Sequence, residues 1–455
     1  MIDFLIFYEV KNREMESIVL LGNELKKRGF TCEFISFSQI YSITMKKRYF
    51  GKVRVAVVPS LYHDKEILHI VYRIAGKVDY IVNLRWEQVF SNETESDVKN
   101  YVFPKENAVK AIHCCWGKKP KEMLIRAGVN DKNAVVTGPM HMDILAPSFE
   151  KYFLSKDKLF DKFNIPQNRK TILFISSFVL AAYTEREIEW YLGDVGGDKR
   201  KELIEQLKFD KTSQQTIISW LLHVAEKYDY NIVYRPHPAE NPLYANEISK
   251  NNANFYVISE LNVKQWIKKC DVVLTWVSTS IIESFFAGVS CAVLRPLEIP
   301  YEREMSVYKG IHTIKNREEL EKYFDYLKAY NNNMFLLDEE IVLNYYDHSD
   351  KKLSYVRTAD LLCDLSAGYE KFDWNEMHIR PFMQEIKWDA ELIKKSLYKM
   401  FLKVLSVPMI RKKIQVKFLK DRIDSFLAFE KKNKTNIISK SEFKAMERKL
   451  SKYIR

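Results

Sequence analysis

Glycine and proline are scarce, at 13 each in 455 residues, which excludes collagen-like and linker-like chains. The six cysteines, Cys32, Cys114, Cys115, Cys270, Cys291 and Cys363, form no C-x-x-C, and the adjacent pair lacks zinc-ligand spacing. They are expected to be reduced and mostly buried, with no structural metal and no cofactor. No run approaches the roughly 18 apolar residues of a membrane-spanning helix. The opening MIDFLIFYEVKNRE has no basic n-region and is charged by position 9, unlike a secretory signal. Repeats and low-complexity blocks are missing too. These gaps together point to a reduced, cytoplasmic setting.

What is present is ordinary globular chemistry. With 47% hydrophobic and 29% charged residues, disorder is ruled against, and the length suits two domains. The 27 Phe and 26 Tyr are expected mostly in the core. Charge is uneven: residues 391–455 hold 19 Lys+Arg and 6 Asp+Glu, a net of +13, while the other 390 residues sum to −1. The basic excess is a property of one surface and gives no nucleic-acid signal.

Residues 1–145 alternate apolar runs with amphipathic stretches. Strands are expected at 2–8, 32–37, 53–59 and 80–84, with helices at 14–28 and 65–75. A polar connection, 146–169, interrupts the pattern. It resumes with strands at 170–176, 231–236, 254–258, 271–276 and 290–296 and helices near 212–227, 262–269, 280–287 and 317–330. Continuous apolar strands alternating with helices predict parallel sheets covered on both faces. The expected class is α/β: two Rossmann-like domains, 1–150 and 151–384, facing across a cleft, then a helical basic extension over 385–455. Ligands of such domains sit at the carboxyl ends of the strands.

The strongest local signal is YRPHPAE (234–240) at the end of a strand. Arg235 and His237 can donate to phosphate oxygens, Pro238 fixes the backbone after the imidazole, and Glu240 follows. A turn in which the histidine caps a neighbouring helix is the structural alternative. In DVVLTWVSTSIIESFFAG (271–288), a buried strand ends in Ser278, Thr279 and Ser280 and a helix continues through Glu283. Hydroxyls and unpaired amides at a helix start bind anions; the alternative is plain N-capping. Glu283 either takes ribose hydroxyls or supports the cap. Ser176 and Ser177, closing the strand ILFISSF, are candidates for the donor phosphate or turn residues. In the first domain FYEVKNREME (7–16) supplies Glu9, Arg13 and Glu14, and NLRWEQ (83–88) supplies Arg85, Trp86 and Glu87. Carboxylates at strand ends are base candidates, Glu14 before Glu9 and Glu87. For Glu14 the alternative is an acid complementing the helix dipole.

These motifs carry a resemblance. CWGKKPKEMLIRAGV with VVTG and a following Asp is similar to the end of the first domain in bacterial Kdo transferases and hydrolysing UDP-N-acetylglucosamine 2-epimerases. RPHP followed by S-T-S, Glu and Gly resembles the motifs that hold a CMP-sugar in bacterial sialyltransferases, polysialyltransferases and capsule Kdo transferases. The opening EVKNREMESIVLLGNELKKRGF, with NLRWEQ and YRPHPAE, looks most like the surface carbohydrate biosynthesis proteins. The similarity spans about residues 1–300. It implies a GT-B glycosyltransferase in which His237 and Ser278 to Ser280 hold the donor nucleotide and its phosphate, and an acid of the first domain, best Glu14, is the base. The sialyltransferase D/E-D/E-G motif and the glycine-rich first loop of many GT-B enzymes are absent; KNRE stands in the latter's place.

The expected partners are thus a nucleotide-sugar donor, first a CMP-activated acidic sugar, and a carbohydrate or lipid-linked acceptor of a surface polysaccharide. The alternatives are a CDP-glycerol or CDP-ribitol polyol-phosphate transferase, a UDP-sugar 2-epimerase, and a non-catalytic scaffold. Residues 392–429 mix Leu, Phe, Met and Ile with Lys and Arg at helical spacing. That reads as attachment to an anionic membrane surface, or as a helix packed on the first domain.

Overall fold

The computed structural model describes residues 1–40, 47–100, 102–183, 197–330, 334–349, 351–377, 397–411 and 437–453, with 390, 393–394, 416, 419–420, 422–424 and 427. Parts of the expected basic helical stretch, including 412–415 and 428–436, lie outside these residues.

The chain forms two compact units. The first takes residues 1–89, 94–144 and 344–455. Its strands are β1 Ile2–Tyr8, β2 Cys32–Ser36, β3 Val53–Val58, β4 Tyr80–Asn83, β5 Ile112–Cys115 and β6 Ala134–Val136, all parallel, in the order β2-β1-β3-β4-β5-β6. Phe4 to Tyr8 are all buried, as a strand covered on both faces requires. The chain leaves β1 toward β2, then returns to pair β3 on the other side of β1. The crevice at that reversal lies at the carboxyl ends of β1 and β3.

The second unit takes residues 90–93 and 145–343. Its strands are β7 Lys170–Ile175, β8 Tyr230–Arg235, β9 Phe255–Val257, β10 Val272–Thr275, β11 Ser290–Leu294 and β12 Thr313–Ile314. They are parallel, in the order β12-β11-β10-β7-β8-β9. Here the reversal falls between β7 and β10. The helix Gly197–Tyr228 starts well before the expected 212, and residues 65–75 hold a π-helical turn, Ile67–Tyr72, between two short α turns.

The second unit ends at Leu343, where the second domain was expected to run to 384. The helix Ser354–Gly368 packs on the first unit's helix Lys11–Lys27, with Tyr355, Ala359, Leu361, Leu362 and Leu365 buried. Its start is held by Asp143, whose carboxylate accepts the Ser354 and Tyr355 N–H groups at 2.9 and 2.7 Å. Burial pushes the Asp143 carboxyl up to about 7 against those bonds. Gly138, at φ +86, faces the same helix: a Cβ there would lie 2.1 Å from the Arg357 guanidinium. The VVTG…D segment therefore seats this helix. The described residues between 390 and 453 also belong to the first unit, and their last helix, Lys440–Leu450, packs on Lys11–Lys27.

Candidate functional site

Two groups of side chains collect at carboxyl strand ends, one in each unit. In the first unit β1 runs through Glu9 into the helix Lys11–Lys27, whose N-cap, Val10, has no capping side chain. Glu14 supplies the cap instead. It is 0% exposed, and its oxygens accept the Glu9 N–H at 2.8 Å, the Val10 N–H at 3.2 Å and the Arg13 guanidinium at 2.8 Å. Burial raises its pKa, opposed by Arg13 and the two backbone donors. The expected base is thus enclosed and spent on the helix start. Half of the Glu9 side-chain surface is exposed, and Arg13 stands 3.9 Å away. Desolvation raises its pKa and Glu87 adds to the rise, with Arg13 opposing. Glu87, more exposed still, receives an Arg13 N–H at 2.7 Å. Tyr62, beyond β3, has its hydroxyl pKa raised by desolvation, with Arg85 lowering it and Glu87, Glu66 and Glu9 raising it. Tyr62 escaped the sequence reading; its position just past a parallel strand was the available signal.

In the second unit several candidates turn out to be engaged with each other. Ser176 Oγ donates to Glu240 at 2.6 Å, and the Tyr234 hydroxyl donates to the other Glu240 oxygen at 2.6 Å. Gln214 donates to the Tyr234 hydroxyl at 3.0 Å. Glu240 also accepts the His237 N–H. Ser176 and Glu240, both expected to bind the donor, form a buried network that braces the RPHP turn. Arg235 turns its fork onto the carbonyls of Glu260, at 2.8 Å, and Leu261. Burial lowers its pKa to about 10. Its charge remains near the strand end, but its donors hold the 260–261 loop.

His237 is exposed, and its Nδ1 accepts the Ala239 N–H at 3.1 Å. That bond puts the neutral ring's proton on Nε2, which meets no partner among the described residues. At the end of β10, Ser278 Oγ accepts the Ser280 N–H at 3.2 Å, a side-chain turn that leads into the helix. Tyr308 bonds both the N–H and the carbonyl of Ser278. The helix that follows has only seven residues, with Thr279 as its N-cap. Glu283 faces Lys264 at 3.4 Å, both nearly buried, so its charge is balanced within the unit.

Between the ends of β7 and β10 lies a cavity of about 470 Å³. Phe209, Trp276, Val277, Ile299 and Pro300 form its apolar wall, and Ser177, Glu205, Gln206, Asp210, Glu298 and Arg303 its polar one. The Ser177 hydroxyl and the Trp276 indole N–H are buried without a hydrogen-bond partner. Burial pushes the Asp210 carboxyl up to about 6. Of the sequence candidates, Ser177 lines this cavity; Phe209, Asp210 and Trp276 were missed, because their contributions come from the long helix and from the strand's last turn.

No protein-family model and no curated protein matches the sequence. Solved structures do share the fold. A UDP-GlcNAc 2-epimerase from Methanocaldococcus jannaschii is 14% identical with a TM-score of 0.51, covering 80% of this chain and 99% of that one. A UDP-GlcNAc 2-epimerase from Neisseria meningitidis, solved with UDP-GlcNAc, is 15% identical at 0.47, covering 80% and 100%. The wall teichoic acid polymerase TagF is 11% identical at 0.38, covering 87% and 89%. The first likeness establishes the fold: two Rossmann-like units of the GT-B kind.

Proposed function

We propose that the chain is a glycosyltransferase that takes a sugar from a nucleotide-activated donor, the second unit holding the donor and the first the acceptor. The observation that carries this is the β7/β10 cavity, with its aromatic wall and two unspent polar atoms. Ligands of parallel α/β sheets bind at that reversal. Aromatic rings take the faces of a base or sugar, carboxylates accept from hydroxyls, and the free Nε2–H of His237 donates to a phosphate oxygen.

In transfer, the acceptor oxygen bonds the anomeric carbon as the bond from that carbon to the phosphate oxygen breaks. The acceptor's proton passes to Glu9, the half-exposed carboxylate whose pKa desolvation raises. The electron pair leaves on the phosphate, facing the His237 donor and the Arg235 charge. The RPHP and S-T-S resemblance supports a CMP-activated acidic sugar as donor. The net +13 of residues 391–455 supports attachment to the anionic inner face of the cytoplasmic membrane, where lipid-linked acceptors lie.

The test is thermal stabilisation by CMP, CDP, UDP and GDP, compared between the wild type and His237→Ala. A nucleotide at 100 times its dissociation constant adds about 2.7 kcal/mol. Loss of the imidazole contact is expected to weaken binding by about 1.5–3 kcal/mol. Stabilisation by none of the four, or equal stabilisation of both proteins, overturns the donor site. Turnover of a UDP-sugar without an acceptor makes the chain an epimerase, and a phosphodiester product makes it a polyol-phosphate transferase.

A further inference from the structure

Arg85 is 4% exposed, yet among the described residues no carboxylate, carbonyl or hydroxyl accepts from its guanidinium. An isolated buried cation is costly to keep, and burial accordingly lowers its pKa. Its backbone, by contrast, is held on every side. Asn83 Oδ1 accepts the Arg85 N–H at 3.1 Å, while Asn83 Nδ2 reaches the Leu61 carbonyl at 3.3 Å and His113 Nδ1 at 3.2 Å. Gln88 Nε2 donates to the Arg85 carbonyl at 2.8 Å and to the Cys114 carbonyl at 2.9 Å, and Gln88 Oε1 accepts the Trp116 N–H at 2.8 Å. Asn83, Gln88 and His113 are all buried. Together they fix Arg85 at φ +48, a left-handed conformation that a non-glycine residue adopts only when its surroundings impose it.

The loop thus fixes the backbone of a residue whose guanidinium has no hydrogen-bond partner among the described residues. It follows β4, on the carboxyl edge of the first sheet. Glu87, two residues on, accepts an Arg13 N–H at 2.7 Å, and the same guanidinium stands 3.9 Å from Glu9, so the loop adjoins that carboxylate. Arg85, Glu87 and Glu9 all act on the Tyr62 hydroxyl, whose pKa desolvation raises. We infer that Arg85 binds an oxyanion carried by the acceptor, a phosphate or a carboxylate, with the Tyr62 hydroxyl as second donor, so that an acceptor hydroxyl comes to Glu9. The guanidinium fork suits either oxyanion. The inference rests on the proposed function only in calling this ligand the acceptor.

The test titrates the full chain in the His237→Ala background, which leaves the first unit's site alone. The probes are inorganic phosphate, glycerol 3-phosphate, glucuronate and glucose, followed by calorimetry. Phosphate esters or the uronate should bind and glucose should not; which oxyanion wins identifies the acceptor's charged group. Arg85→Gln should weaken that binding roughly 10- to 150-fold, while nucleotide binding in the otherwise wild-type chain stays unchanged. Arg85→Met should melt higher than wild type without ligand, because it removes a buried unpaired charge. Arg85→Lys keeps the charge and should bind more weakly than the wild type but better than Arg85→Gln. Oxyanion binding that survives Arg85→Gln, no oxyanion binding at all, or a lower melting temperature for Arg85→Met overturns the inference. Failure of every nucleotide to bind would instead count against the donor site.

Discussion

At the scale of single residues, the first unit separates two glutamates that look alike in the sequence. Glu14 stands one helical turn in and Glu9 at the strand end, and the motif alone favours the former. The structure gives Glu14 two backbone donors and a guanidinium, which leaves it no room to take a proton from a substrate. Glu14→Gln keeps the shape but loses charge-assisted bonds, and should cost about 1–2 kcal/mol of stability. Glu9→Gln should leave stability nearly unchanged and lower the transfer rate 10²–10⁴-fold, the usual cost of losing a general base. Chemical denaturation and single-turnover kinetics on the two variants check this, and the reverse pattern restores Glu14 as the base. The same limit affects Ser176 and Glu240. Sequence spacing put both at strand ends correctly, but it carries no sign that a tyrosine and a serine would claim both Glu240 oxygens. Polar residues at strand ends are legible as candidates; how their lone pairs are shared is set by tertiary packing.

At the scale of elements, the longer strands were readable because a strand buried on both faces is a continuous apolar run. Strands β5, β6 and β12, of four, three and two residues, were not read; length alone does not set them apart, since β4, β9 and β10 are as short and were. The helix Ser354–Gly368 reads as amphipathic, but nothing local says which sheet it covers, hence the expected boundary at 384. The last helix has the same history. Its Phe443 ring lies 4.3 Å from Phe34, with Lys26 over the same ring at 5.3 Å. Glu442 and Glu447 pair with Lys11 and Lys26, and the Ile438 N–H reaches the Tyr8 hydroxyl at 2.8 Å. Exposed ion pairs contribute only about 0.2–1 kcal/mol each, so the aromatic contact should dominate. Phe443→Ala is expected to cost about 1–2 kcal/mol locally. Hydrogen exchange should then speed up across 440–450 and stay unchanged in β1 to β6. Unaltered exchange in that helix would mean that the ion pairs hold it.

At the scale of the whole molecule, charge and apolar exposure coincide in the tail. The sequence sets a net +13 there against −1 elsewhere, and no helix among the described residues is long and apolar enough to cross a membrane. The structure divides the tail by role. Leu402 and Ile423 are buried against each other, with Leu405 and Leu419 packed on them. Leu397 and Phe401 stay open at 57% and 53%, with Met400 and Val404 beside them. Lys394, Lys399 and Lys403 interleave with them. An apolar stripe bordered by lysines suits the interface of an anionic leaflet, where each nearby basic residue adds about 1 kcal/mol. The full chain should sediment with anionic vesicles and far less with neutral ones. Binding should weaken as salt rises, since the Debye length falls from about 10 Å at 0.1 M to 3 Å at 1 M. The double substitution Leu397→Ser with Phe401→Ser should remove the salt-resistant part without unfolding the protein, because both side chains are already exposed. Truncation near 437 should retain lipid binding, since the helix beyond it is engaged with the first unit. Equal sedimentation with neutral and anionic vesicles would remove the lysines from the account, and a double variant that binds as the wild type does would show that this stripe meets something other than lipid.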